Sequence, residues 1–123
     1  MKEVVLGIDL GTSTIKIIAV DQQGEVISSV SKPLELFQES PGHSEQDPNA
    51  WFTATKNGIK TLIQVDEMSD KIIKGLSSSG QMHGLVILDK NGMLLRRAIL
   101  WNGRRNSEQF SRIKLVYGGR LNY

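Results

Sequence analysis

The stretch that decides the fold is VVLGIDLGTSTIKIIAV, residues Val4 to Val20. Val4, Val5, Leu6 and Ile8 form a short apolar run, the pattern of a strand covered on both faces. Ile15, Ile17, Ile18 and Val20 form a second run, rich in β-branched side chains. Between the two lies Asp9-Leu10-Gly11-Thr12-Ser13-Thr14. Gly7 and Gly11 permit close backbone approach or positive φ. Thr12, Ser13 and Thr14 set hydroxyls beside several backbone N–H groups. Asp9 brings a carboxylate to the end of a buried strand, an expensive place for an idle charge.

Such a turn suits a polyphosphate accompanied by a metal ion. Turn amides and hydroxyls bind phosphate oxygens, and Asp9 is expected to hold Mg²⁺ through water, because that ion dehydrates reluctantly. The plainer reading is a hairpin with a glycine turn and a solvated Asp9, and the local pattern alone does not separate the two. Neither the Walker A spacing nor GxGxxG is present.

Outward from the hairpin, Asp21-Gln22-Gln23-Gly24 reads as a turn with Gly24 at positive φ. Val26, Ile27 and Val30 then alternate with serines in a third, half-exposed strand that Pro33 ends. Three successive strands imply an antiparallel meander. Residues 38–46 are polar, contain Pro41-Gly42, and read as a loop with His43 exposed. Asp47-Pro48 opens a helix, with Asp47 as N-cap and Pro48 at the first helical position. Trp51, Phe52, Thr55, Ile59, Leu62 and Ile63 follow at helical spacing, and Trp51 and Phe52 are expected in the core. After a polar connection over 66–70, Ile72, Ile73 and Leu76 begin a strand running into Ser77-Ser78-Ser79-Gly80. A strand that follows a helical crossover lies parallel to its neighbour, so its carboxyl end opens toward the ligand crevice of an open α/β sheet.

Gly80-Gln81-Met82-His83-Gly84 sits at that end. Gln81 and His83 exchange hydrogen bonds with hydroxyls and Met82 offers an adaptable apolar surface, the mixture a sugar site needs. A packed Met82 and a surface His83 are the alternative. Leu85 to Leu88 reads as the next strand, Asp89-Lys90-Asn91-Gly92 as its turn, and the return strand ends at Ala98-Ile99-Leu100-Trp101. Trp101, Asn102 and Arg105 form a second candidate site, with a core tryptophan and a solvated basic turn as the alternative. A helix over 107–117 is expected, with Phe110, Ile113, Val116 and Tyr117 on one face and Gly118 as its stop. Lys16 alternates away from Ile15 and Ile17, toward either the nucleotide side or water.

The bulk numbers agree with a small folded unit. The chain has 123 residues, one domain at most, with 39% hydrophobic and 23% charged residues. A net charge of +2 with only short Arg pairs gives no argument for nucleic acid. With no cysteine, disulfides, zinc–thiolate sites and a cysteine nucleophile are excluded. Cytoplasm is the expected compartment, and no signal peptide or membrane span is read.

In order, GIDLGTSTIK, PGHSEQDPNAW, GLSSSGQMHGLVILDKNG and AILWNGRR make a more specific set than any of them alone. GIDLGTS before a β-branched strand resembles the first phosphate loop of the actin-like ATPases. The whole set resembles the N-terminal part of the FGGY carbohydrate kinases, over residues 5–105, and within that family the kinases acting on xylulose. SGQMHG is the most discriminating piece. The resemblance implies an α/β fold: an incomplete ribonuclease H-like first domain, with a mixed sheet, an N-terminal antiparallel meander and flanking helices. It also implies ATP and Mg²⁺ as cofactors, a catalytic role for Asp9, and phosphate held by Gly11, Thr12, Ser13 and Thr14. A sugar is then expected on Gln81, Met82 and His83, with Trp101, Asn102 and Arg105 nearby.

The implied activity is transfer of phosphate from ATP to D-xylulose. Small-molecule substrates, no nucleic acid, no membrane and a homo-oligomer complete the expected partners. Three departures bear on this. Gly103 stands where the xylulose-acting members have Asp after Trp-Asn, so the Trp-x-x-Arg-Arg pattern here is closer to the glycerol-acting form. His43 stands where an aromatic residue is common. Family members are several times longer, so the catalytic base is expected beyond residue 123 and this piece alone is expected to be inactive. A kinase for gluconate, glycerol or another pentulose, and a non-catalytic module on the same fold, are the competing readings.

Overall fold

A computed structural model describes residues 2–117. The main sheet has four strands, in the order Val26–Pro33 (β3), Thr14–Asp21 (β2), Lys2–Leu10 (β1) and Lys71–Gly80 (β5). Strand β1 (Lys2–Leu10) pairs antiparallel with β2 (Thr14–Asp21), and β2 with β3 (Val26–Pro33). Gly24 closes the β2–β3 turn at φ 85°, and Asp21 Oδ1 accepts the N–H groups of Gln23 and Glu25 at 2.9 Å each. The short strand β4 (Glu45–Gln46) precedes helix α1 (Pro48–Ile63). A 3₁₀ turn (Asp66–Met68) then leads into β5 (Lys71–Gly80), which lies parallel to β1 from Lys2↔Lys71 to Leu10↔Gly80. The meander, the crossover helix and the parallel return are those expected from the sequence.

Alternation sets the core. On β1, Val4, Leu6 and Ile8 are buried, and on β2 Ile15, Ile17 and Ala19, while Val5 is exposed, so β1 is covered on one face and not on the two expected of its apolar run. The buried side chains meet Leu62, Leu34 and Met68, with Trp51, Ala54 and Ile59 packed around them. Gly58 lets α1 approach closely, since a Cβ there would stand 2.6 Å from Ile17 Cδ1. Asp47 caps α1 by accepting the Asn49 N–H at 2.9 Å, and Pro48 occupies the first turn, where a missing N–H costs nothing. Phe52 does not join the core. Its residue is 69% exposed, because a step of about 100° from Trp51 turns it off the buried stripe. Lys56 Nζ lies 5.5 Å from its ring centroid instead.

A second departure from the expected elements lies after β5. Leu85 to Leu88 is not a strand. Isolated bridges Leu85↔Ile99 and Leu88↔Leu94 hold a loose hairpin, and its four apolar side chains stay exposed because no layer covers them. The return contracts to β6 (Ala98–Ile99), which pairs with β4. The Asp89 turn repeats the Asp21 turn: Asp89 Oδ1 accepts from Asn91 N–H at 2.8 Å and Met93 N–H at 2.9 Å, with Gly92 at φ 78°. Helix α2 (Ser107–Tyr117) forms where expected, but Phe110, Ile113 and Val116 are exposed. Gly118, its expected stop, lies outside the described residues.

Candidate active site

The β1–β2 turn is closed by Gly11 N–H donating to Thr14 C=O at 2.9 Å. A Cβ on Gly11 would stand 2.9 Å from that same oxygen, so the turn requires glycine. Leu34 N–H donates to the Ser13 carbonyl at 2.8 Å and ties the turn to the segment after β3. Among the described residues, the Thr12 and Ser13 N–H groups have no backbone acceptor. They are free donors in a braced turn.

Asp9 points away from the helix-covered face, because it alternates with the buried Ile8. Its register partners are Lys16 on β2 and Ser79 on β5. These residues, with Gly7, Ile18 and Ser77, line an open depression of about 420 Å³. Lys16 is exposed, as its water-facing reading has it, and the open depression it faces is the one that Asp9 lines.

The 80–84 segment reaches the same end of the sheet. Gln81 N–H donates to Leu10 C=O at 3.0 Å, which prolongs the β1–β5 ladder by one rung. Met82 is 71% exposed, so it is not a packed core residue. His83 follows at φ 60°, a conformation that few non-glycine residues adopt. Such a backbone outlier is more common at ligand sites than elsewhere.

The loop over 38–46 supplies what sequence reasoning missed. Gln46 is 1% exposed and Ser44 2%. Gln46 Oε1 accepts from Trp51 Nε1–H and from Gln81 Nε2–H, each at 3.0 Å, and Gln46 Nε2–H donates to the Thr12 carbonyl. Ser44 Oγ–H donates to Asn102 Oδ1 at 2.8 Å. Glu45 binds the Arg105 guanidinium, accepts from Arg96 at 3.0 Å and lies 3.7 Å from His43 Nδ1. The hydrogen bond from Arg105 outweighs partial burial and holds the Glu45 carboxyl below its ordinary range. His43, expected to be exposed, is half-buried against this carboxylate. Trp101 beside them is 58% exposed, so it too is not a core residue. The 11–14 turn, Gln81 and the 101–105 loop thus join one scaffold through Ser44, Glu45 and Gln46. The one signal for these three in the sequence was their place directly before the helix cap.

Residues 4–119 match the model of the FGGY family of carbohydrate kinases, N-terminal domain. The chain belongs to this family. It is 72% identical to the xylulose kinase of Staphylococcus epidermidis over all 123 residues, which make up 25% of that protein. Among solved structures, a gluconate kinase from Lactobacillus acidophilus superposes with a TM-score of 0.85 at 30% identity, over 97% of this chain and 23% of that one. A ligand-bound xylulose kinase from the same organism gives 0.83 at 30% identity, over 95% and 23%. The fold is therefore that of part of an FGGY kinase, the actin-like architecture anticipated from the hairpin. The chain spans about a quarter of the length of the curated relative it matches.

The donor set limits how a metal could be held. Among the described residues no group of three or more His, Cys, Asp or Glu side chains converges. One carboxylate, Asp9, stands in the open depression with serine hydroxyls. That fits a hydrated Mg²⁺ carried mainly by nucleotide phosphates and does not fit a dedicated protein cage. No helix among the described residues is long and apolar enough to cross a membrane.

Proposed function

We propose that this chain is the N-terminal quarter of an ATP-dependent sugar kinase that phosphorylates D-xylulose to D-xylulose 5-phosphate in the cytoplasm. The observation that carries the reading is the bond from Gln81 N–H to Leu10 C=O, with Gln46 joined to both Thr12 and Gln81. It supports a nucleotide turn and a sugar segment working at one end of one sheet.

In this reading the free amides of Thr12 and Ser13 and the Thr14 hydroxyl bind phosphate oxygens, and Gly11 keeps the turn tight enough to present them. Lys16 offsets phosphate charge across the cleft from Asp9. A Mg²⁺ ion on the nucleotide would supply further charge neutralisation, and Asp9 would hold its water shell. Gln81, Met82 and His83 orient the sugar, with Trp101 as a wall. Asn102 and Arg105 are oriented by Ser44 and Glu45. Phosphoryl transfer asks little covalent chemistry of a protein, so these residues act by positioning and by charge. The base that takes the sugar proton lies outside this chain.

A second reading changes only the sugar. Gly103 and the close match to a gluconate kinase structure favour testing other polyols. The full-length protein, given ATP and a panel of D-xylulose, other pentuloses, gluconate and glycerol, should turn over D-xylulose with the highest kcat/KM. Preference for another sugar would move the assignment within the family. No ATP consumption with any sugar would favour the non-catalytic module.

A further inference from the structure

Gln46 touches neither of the two ligands in the reading above, yet its side-chain amide holds three hydrogen bonds. It is 1% exposed and spans Thr12, Trp51 and Gln81. The indole N–H of Trp51 can only donate, so Gln46 must turn Oε1 toward it. That choice directs Gln46 Nε2 to the Thr12 carbonyl, and it obliges Gln81 to offer its NH₂ to the same Oε1. The Gln81 Oε1 is left buried with no partner among the described residues, an acceptor suited to a ligand hydroxyl.

We infer that Gln46 is a positioning residue that couples the two binding sites, so that a sugar held at the 81–83 segment tightens nucleotide binding at the 11–14 turn. This rests on the kinase reading. A sugar hydroxyl donating to Gln81 Oε1 fixes the Gln81 amide. Through Gln46, that also fixes the carbonyl of Thr12 and the peptide units beside it. A nucleotide binding second then has less freedom to remove, which is a coupling free energy and is reciprocal.

The test is the Kd of a non-hydrolysable ATP analogue with Mg²⁺ on the full-length protein, with and without saturating D-xylulose. Wild type should bind the analogue at least about fivefold tighter when sugar is present. In Gln46→Met, which keeps the volume and removes all three hydrogen bonds, that factor should fall below about twofold. Each ligand alone should still bind the variant. Trp51→Phe removes the group that orients Gln46 and should give an intermediate factor; it serves as the readout if Gln46→Met does not fold. Gln46→Glu retains the acceptor toward Trp51 and Gln81 but loses the donor to Thr12, so it too should uncouple the sites. A wild-type factor near one, or the full factor persisting in the variants, overturns the coupling role and leaves the kinase reading intact. Failure of wild type to bind either ligand overturns both.

Discussion

The Gln81 backbone N–H donates to the Leu10 carbonyl at 3.0 Å, one rung beyond the last β1–β5 pair, Leu10↔Gly80. Leu10 directly follows Asp9 and precedes the 11–14 turn; Gln81 directly precedes Met82 and His83. Gly80 makes the junction possible, since a Cβ there would stand 3.1 Å from Leu10 Cβ and 3.3 Å from its carbonyl oxygen. The chain therefore leaves two parallel strands at the same end of the sheet, carrying a candidate phosphate turn on one and a candidate sugar segment on the other.

Asp9→Asn in the full-length protein should lower kcat by about 10²–10³-fold, the usual loss for one electrostatic contact to a developing charge. The D-xylulose affinity should change little, because the proposed role of Asp9 is on the phosphate side. Steady-state kinetics and direct sugar binding separate the two effects. A variant with wild-type turnover removes Asp9 from the mechanism.

Gly11→Ala tests the turn as a built structure. The added methyl meets the Thr14 carbonyl at 2.9 Å, a backbone contact that cannot rotate away. Overpacking of this kind costs about 1–3 kcal/mol. Urea unfolding should show that loss, and nucleotide affinity should fall with it while sugar affinity is kept.

Glu45→Gln should loosen Arg105 and Arg96 together. The folded pKa of Glu45 is depressed, so its stabilisation is fully present above the unfolded carboxylate value. It is lost as pH falls through the lower folded value. The stability gap between wild type and Glu45→Gln should therefore be widest near neutral pH and close in acid. Paired thermal melts across that range check it; a gap that widens in acid reverses the sign.

The 123-residue chain by itself should self-associate. Among the described residues β5 has no neighbour on its outer edge, and Ile72, Ile73 and Leu76 are 40%, 39% and 63% exposed. An open edge strand with apolar side chains invites pairing with another copy. Leu76→Lys should shift the species seen by light scattering toward monomer. A wild-type chain that is monomeric at all concentrations contradicts this.

Much of this architecture is local and was legible in the residues. The β-branched runs at 4–8 and 15–20, the Asp47-Pro48 cap and the turns at Gly24 and Gly92 each encode their own geometry. Phe52 and Leu85 to Leu88 misled because apolarity signals burial only where a second layer exists to bury it. Ser44, Glu45 and Gln46 were illegible for the opposite reason. Their roles depend on partners 34 to 60 residues away, and polar residues in a loop after Pro41-Gly42 carry no periodic signal. Met82, His83 and Trp101 stood out by composition, but only their exposure at a strand end separates them from core residues.

The most direct test is a structure of the full-length protein with D-xylulose and a Mg²⁺–ATP analogue. The account predicts phosphate oxygens within hydrogen-bonding distance of the Thr12 and Ser13 amides, the metal's water shell on Asp9, and the sugar against Met82 and His83 in the same cleft. A nucleotide bound away from the 11–14 turn, or a sugar separated from it by the sheet, would contradict it.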